Sequence, residues 1–175
     1  MTARNGPDGY GWVTKSLHWV TVLALAAQLA VGYVMDADDS GGGRGRGRGG
    51  GSGHGRGRGG EDSAYLDDPG TLLTAHVVLG VLIILLAVLR LVWRRATSLP
   101  PWSEHLSERQ RQLSHWTERV LMWLLLLVPA TGLVLVAAGD DDVLPLHVAS
   151  HVALYVAVAA HLVVNLRPRI LSRML

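Results

Sequence analysis

The sequence predicts an all-α, integral-membrane four-helix bundle with both termini in the cytoplasm, and three observations carry that prediction. Nearly half of the 175 residues (49%) are apolar. Four long apolar runs each approach the ~20 residues that cross a bilayer. Charge is crowded into the segments that link the runs. In lipid a helix satisfies its own backbone hydrogen bonds, so each run reads as a helix.

The first run, Leu17 to Met35, predicts a helix over 12–36. Lys15 ahead of it and the small residues Ala24 to Ala27 also suit a secretory signal, but the run exceeds a signal core and cleavage would discard His18. It is therefore read as a retained span. Leu72 to Trp93 predicts a second helix over 71–95, Val120 to Ala138 a third over 113–138, and Val143 to Leu166 a fourth over 143–167. Helices and links use the whole chain, so residues 1–175 read as a single transmembrane domain.

Between the first two runs lies Gly41 to Gly60, where glycine alternates with Arg44, Arg46, Arg48, Arg56 and Arg58 around Ser52 and His54. Such low-complexity sequence predicts a flexible, solvated insert in the first outer loop. Outside that insert, Arg4, Lys15, Arg94, Arg95, Arg109, Arg111, Arg167, Arg169 and Arg173 fall on one side, whereas the link Gly139-Asp140-Asp141-Asp142 holds three acids and no base. The positive-inside rule then puts both termini in the cytoplasm. The insert opposes that rule, but Asp36, Asp38, Asp39, Glu61, Asp62, Asp67 and Asp68 flank it. Arg-Gly repeats bind RNA elsewhere. Here that role requires the reverse topology, so no nucleic-acid partner is expected.

Cysteine is absent, which excludes disulfides, thiolate zinc sites, iron–sulfur clusters and a covalently attached haem. Histidine is what remains. His147 and His161 stand fourteen residues apart, nearly a whole number of helical turns, so both rings face one way about 21 Å apart along the axis. One lies near each face of a hydrocarbon core about 30 Å thick. His18 opens the first helix on the cytoplasmic side, His76 the second on the outer side, and His115 the third on the inner side; His151 accompanies His147. Depth therefore pairs His18 with His161 at the inner level and His76 with His147 at the outer.

A single histidine in a membrane helix is often a hydrogen-bonding partner between helices, and that reading suits His115 or His151 alone. Four matched in depth suit two haems, each iron held by two neutral imidazoles, with electron transfer as the natural chemistry. Arg90 follows His76 by fourteen residues, placing a cation where an inner haem propionate needs one; ordinary snorkelling is the alternative. Gly32, fourteen after His18, and Gly80, one turn from His76, let a flat macrocycle or another helix approach the backbone.

Taken together, His18-Trp19, His76-x-x-x-Gly80 with Arg90, His115 followed by Pro129 and Gly132, and His147 to His161 enclosing Tyr155 with Arg173-Met174 near the end resemble the bacterial cytochrome b-561 family. The resemblance covers the chain apart from the Arg-Gly insert. It implies a four-helix protein of the bacterial cytoplasmic (inner) membrane with two non-covalent b haems, passing electrons between an outer reactant and the quinone pool. It implies outer ligands from the second and fourth helices and inner ligands from the first and fourth. His151 departs from the family pattern and leaves open whether it replaces His147.

Three functional readings follow. One is a stand-alone quinone oxidoreductase fed by a small anionic or protein donor, superoxide being a candidate, with a homodimer as one assembly. The second is a cytochrome b anchor of a larger dehydrogenase or hydrogenase. The third is a non-haem transport or metal-binding membrane protein whose histidines hold zinc or copper.

Overall fold

The structure, a computed structural model, describes residues 2–6, 9–41, 70–101, 107–138 and 141–165, with only the backbone of 36–41 and 141. The Arg-Gly insert beyond Gly41, the link acids before Asp141, and Arg167, Arg169 and Arg173 lie outside the described residues. Four helices follow one another: α1 (Trp12–Gly41), α2 (Thr71–Ala96), α3 (Glu108–Ala138) and, after a 3₁₀ turn at Asp141–Val143, α4 (Leu144–Asn165). All four are long and apolar enough to cross a membrane.

The third helix begins five residues before the predicted start at 113. Ser107 and Gln110 cap it reciprocally: the Ser107 backbone N–H donates to Gln110 Oε1 (3.1 Å), and the Gln110 backbone N–H donates to Ser107 Oγ (3.4 Å). This capping box starts the helix in the polar stretch Glu108 to Gln112, where hydrophobic periodicity has nothing to read. Arg94 and Arg95 close α2, the sign that complements a helix C-terminus.

Neighbouring helices run antiparallel, as cross-contacts at both ends require. Trp93 of α2 donates from Nε1 to Thr14 Oγ1 of α1 (3.0 Å), and Arg94 pairs with Glu118 of α3 (3.0 Å). At the opposite end Gly32 of α1 lies against His76 of α2, and Gly132 of α3 against His147 of α4. One end therefore collects Lys15, Arg94, Arg95, Arg109 and Arg111, and is called the basic end below; the other is the far end.

A strap precedes α1 at the basic end. Asn5 donates from Nδ2 to the Ser98 carbonyl (3.1 Å), and its Oδ1 accepts from the Gly11 N–H (3.0 Å) and the Thr14 hydroxyl (2.8 Å). A Cβ on Gly11 would fall 2.5 Å from the carbonyl oxygens of Ala3 and Arg4, so only glycine lets the strap lie this close.

Buried apolar residues form two clusters at mid-bundle. Ala24, Ile83, Leu86, Ala87 and Leu125 join α1, α2 and α3; Leu124, Val128, Leu154 and Ala157 join α3 to α4. Both lie between the residue levels 18, 90, 115 and 161 at one end and 32, 76, 132 and 147 at the other, so an apolar layer divides the interior in two. Outward faces stay apolar, with Leu23, Val78, Leu85, Trp123 and Val163 exposed, the inverse of a soluble bundle. Several hydroxyls inside the helices are spent on their own backbone: Thr21 on the Leu17 carbonyl (2.6 Å), Thr117 on Leu113 (3.0 Å) and Ser150 on His147 (2.7 Å). This back-bonding satisfies a polar group where no water is at hand.

Candidate functional site: two histidine levels

At the basic end the structure brings His18 of α1 and His161 of α4 together, ring centroids 6.4 Å apart and planes inclined at 46°. Metal–imidazole bonds are about 2 Å long, so two rings joined through one metal stand roughly 6 Å apart, centre to centre. Trp19 sits edge-on to His18 at 5.5 Å. One turn beyond His161, Asn165 Nδ2 donates to the His161 carbonyl (2.8 Å) and reaches its Nδ1 (3.2 Å). Arg90, half-buried on α2, lies within electrostatic reach of both rings and of Glu118. His115 is half-buried on α3, and among the described residues no cluster of three ligands forms with it.

At the far end a cavity of about 230 Å³ opens between the helices, lined by His76, His147 and His151 with Gln28, Gly80, Pro129 and Gly132. His76 Cε1 would stand 3.4 Å from a Cβ on Gly32, and His147 Cε1 only 2.9 Å from one on Gly132. His147 Nδ1 is 3.0 Å from Thr131 Oγ1, and its Nε2 is 3.2 Å from Nε2 of His151. Tyr155 lies 6.3 Å from the His151 ring. Gly80 packs against Pro129, 3.5 Å from Cβ to Cβ position, and near the Gln28 amide. Its missing side chain thus serves the α2–α3 contact at the proline, one of the two uses the sequence left open.

Two levels of half-buried imidazoles, separated by an apolar layer, thus stand inside four helices long and apolar enough to cross a membrane. The family model for prokaryotic cytochrome b561 matches residues 9–175. The chain belongs to the prokaryotic cytochrome b561 family. Comparison with curated proteins and with solved structures returned no match. As a cytochrome b561, the protein is a multi-pass membrane protein that binds haem b and transfers electrons.

The donor set of this cytochrome b561 fits haem. Cysteine is absent, imidazoles converge at both levels, and Nδ1 of His18 and of His76 are buried without a hydrogen-bond partner among the described residues. A ring nitrogen stripped of water costs free energy until something engages the ring. Gly132 stands where a side chain would press on the ring of His147. Among the described residues no three or more His, Asp or Glu side chains gather as a bare metal ion needs, which the zinc or copper reading would require.

Three residues beside the histidines escaped the sequence reading: Gln28, Thr131 and Asn165. Gln28 is 92% buried by its 8% exposure, and its Oε1 has no partner among the described residues. The available signal was polarity inside an apolar run, which in a membrane helix marks function or an interhelical contact.

Proposed function

We propose that this cytochrome b561 holds two b haems per chain, one between His18 and His161 at the basic end and one between His76 and His147 at the far end. Arg90 meets a carboxylate of the first haem. The observation that carries the reading is the approach of His18 to His161 at 6.4 Å, repeated in kind at the far end by His76 and His147 around one cavity. Held by two imidazoles, a haem would favour electron transfer over oxygen binding. Bound haem b supplies a one-electron iron couple.

The protein's own share is placement. The histidines on α4, fourteen residues apart, set the two levels about 21 Å apart along the helix; the apolar layer keeps water from the space between. The basic end, with Lys15, Arg94, Arg95, Arg109 and Arg111, belongs in the cytoplasm by the positive-inside rule, so both termini lie there and the far end faces outward. The membrane is the bacterial inner membrane, and the reaction passes electrons from an outer donor to quinone. With superoxide as donor, two anions release one electron each and become dioxygen, while a quinone takes up both electrons and two protons.

The test is quantification of haem in the purified protein and its histidine variants, followed by quinone reduction with superoxide and with an uncharged donor. Two haems and quinone reduction by superoxide support the reading. A single haem, or none, overturns the pairing; a haem-loaded protein inert towards quinone but copurifying with a hydrophilic dehydrogenase or hydrogenase overturns the stand-alone role.

A further inference from the structure

We infer that Thr131 is a positioning residue: its hydroxyl oxygen accepts the Nδ1 hydrogen of His147, presents His147 rather than His151 to the far-end haem, and holds that haem's reduction potential down. The inference rests on the reading of His147 as an axial ligand.

The hydrogen bookkeeping decides the tautomer. A threonine hydroxyl has one hydrogen. Thr131 Oγ1 lies 2.8 Å from the Val128 carbonyl, which can only accept, so the hydrogen is spent there. What remains on Oγ1 is lone pairs, and His147 Nδ1 at 3.0 Å must therefore be the N–H donor. A neutral imidazole protonated at Nδ1 carries its free lone pair on Nε2.

His151 then takes the opposite form. Its Nε2 stands 3.2 Å from Nε2 of His147, and a lone pair there calls for an N–H opposite. His147 is thus the ring of this pair that Thr131 holds with an unprotonated Nε2. Gly132 secures the ring from the neighbouring position, since a Cβ there would fall 2.9 Å from Cε1. Thr131 itself is 6% exposed, so the bond is made away from competing solvent.

Among the described residues the basic end lacks this device. His161 Nδ1 faces the Asn165 amide nitrogen at 3.2 Å, a group that only donates. Oxygen acceptors on the outer nitrogen of a ligating histidine fix its orientation and raise its basicity, and a more electron-rich ligand favours oxidised iron. Thr131 therefore biases the far-end haem alone.

The test is a redox titration of the purified, haem-loaded full chain carrying Thr131→Val, Thr131→Ser, His151→Ala or His147→Ala, with the far-end haem identified as the one lost in His76→Ala. Thr131→Val is expected to keep both haems and to move the far-end midpoint upward while leaving the other unchanged. Thr131→Ser should restore it, and His151→Ala should keep both haems. An unshifted midpoint in Thr131→Val, or the same shift in Thr131→Ser, overturns the hydrogen-bond role; should Thr131→Val lose the haem, a native midpoint in Thr131→Ser supports it and a haem loss there overturns it. Loss of a haem in His151→Ala overturns the choice of ligand. His147→Ala with both haems intact instead removes the ligand reading, independently of any Thr131 result.

Discussion

His18 and His161 come from the first and last helices, yet their ring centroids lie 6.4 Å apart. The distance is a consequence of antiparallel packing carried around the whole bundle: α1 on α2, α2 on α3 and α3 on α4. The first two steps keep the basic end in register, through Trp93 with Thr14 and Arg94 with Glu118. A shift of one turn in any helix, about 5.4 Å, would separate the pair.

Haem counting tests that register. His18→Ala and His161→Ala are each expected to lose the same one of two haems, and His76→Ala and His147→Ala the other. Pyridine haemochrome analysis with redox titration reads both number and identity. If His18→Ala and His161→Ala removed different haems, the cross-bundle pairing would be wrong.

The glycines beside the far-end histidines give a graded expectation. A Cβ on Gly132 would lie 2.9 Å from the His147 ring, whereas one on Gly32 would lie 3.4 Å from His76. The first spacing forces the ring to move; the second is ordinary contact. Gly132→Ala should therefore displace the far-end haem, leaving about one haem per chain, while Gly32→Ala retains close to two. Equal occupancy in both variants would show that ring position does not depend on Gly132.

Much of this was legible in the sequence, for a definite reason. A bilayer demands long apolar helices, and the fourteen-residue spacing of His147 and His161 converts directly into one helix face. The start of α3 is invisible to hydrophobic periodicity and is marked in the sequence only by the capping-box pattern Ser107-x-x-Gln110. The convergence of Thr131 on His147 was not legible: their separation of sixteen residues crosses a helix–link–helix hairpin, and only the packing of α3 on α4 brings them to 3.0 Å. The twofold meaning of Gly80 was likewise settled by its neighbour, Pro129.

The strap before α1 offers a test of stability apart from chemistry. Asn5 makes three hydrogen bonds, to Ser98, Gly11 and Thr14, each with a net contribution of roughly 1 kcal/mol. Because some are exposed, Asn5→Ala is expected to cost about 1–2 kcal/mol, seen as a lower Tm in detergent, with haem content unchanged. A loss of haem equal to that in His18→Ala would mean that the strap shapes the site itself.

Arg90 separates an electrostatic contact from a snorkelling side chain. It lies half-buried beside His18 and His161, and the ion pair with Glu118 is formed by Arg94 rather than by Arg90. A nearby positive charge stabilises the extra electron of reduced iron, so its removal disfavours reduction. Arg90→Gln should therefore lower the midpoint of the haem held by His18 and His161; a through-space interaction of only ~1 kcal/mol corresponds to a shift on the order of 40 mV for a one-electron couple. The other haem, beyond the apolar layer, should shift far less. The conservative Arg90→Lys keeps the charge and should recover most of the potential, whereas a purely steric role would leave Lys and Gln alike. A midpoint that stays put or rises in Arg90→Gln, measured against Arg90→Lys in the same detergent, would place the guanidinium away from the haem carboxylates and return it to the lipid interface.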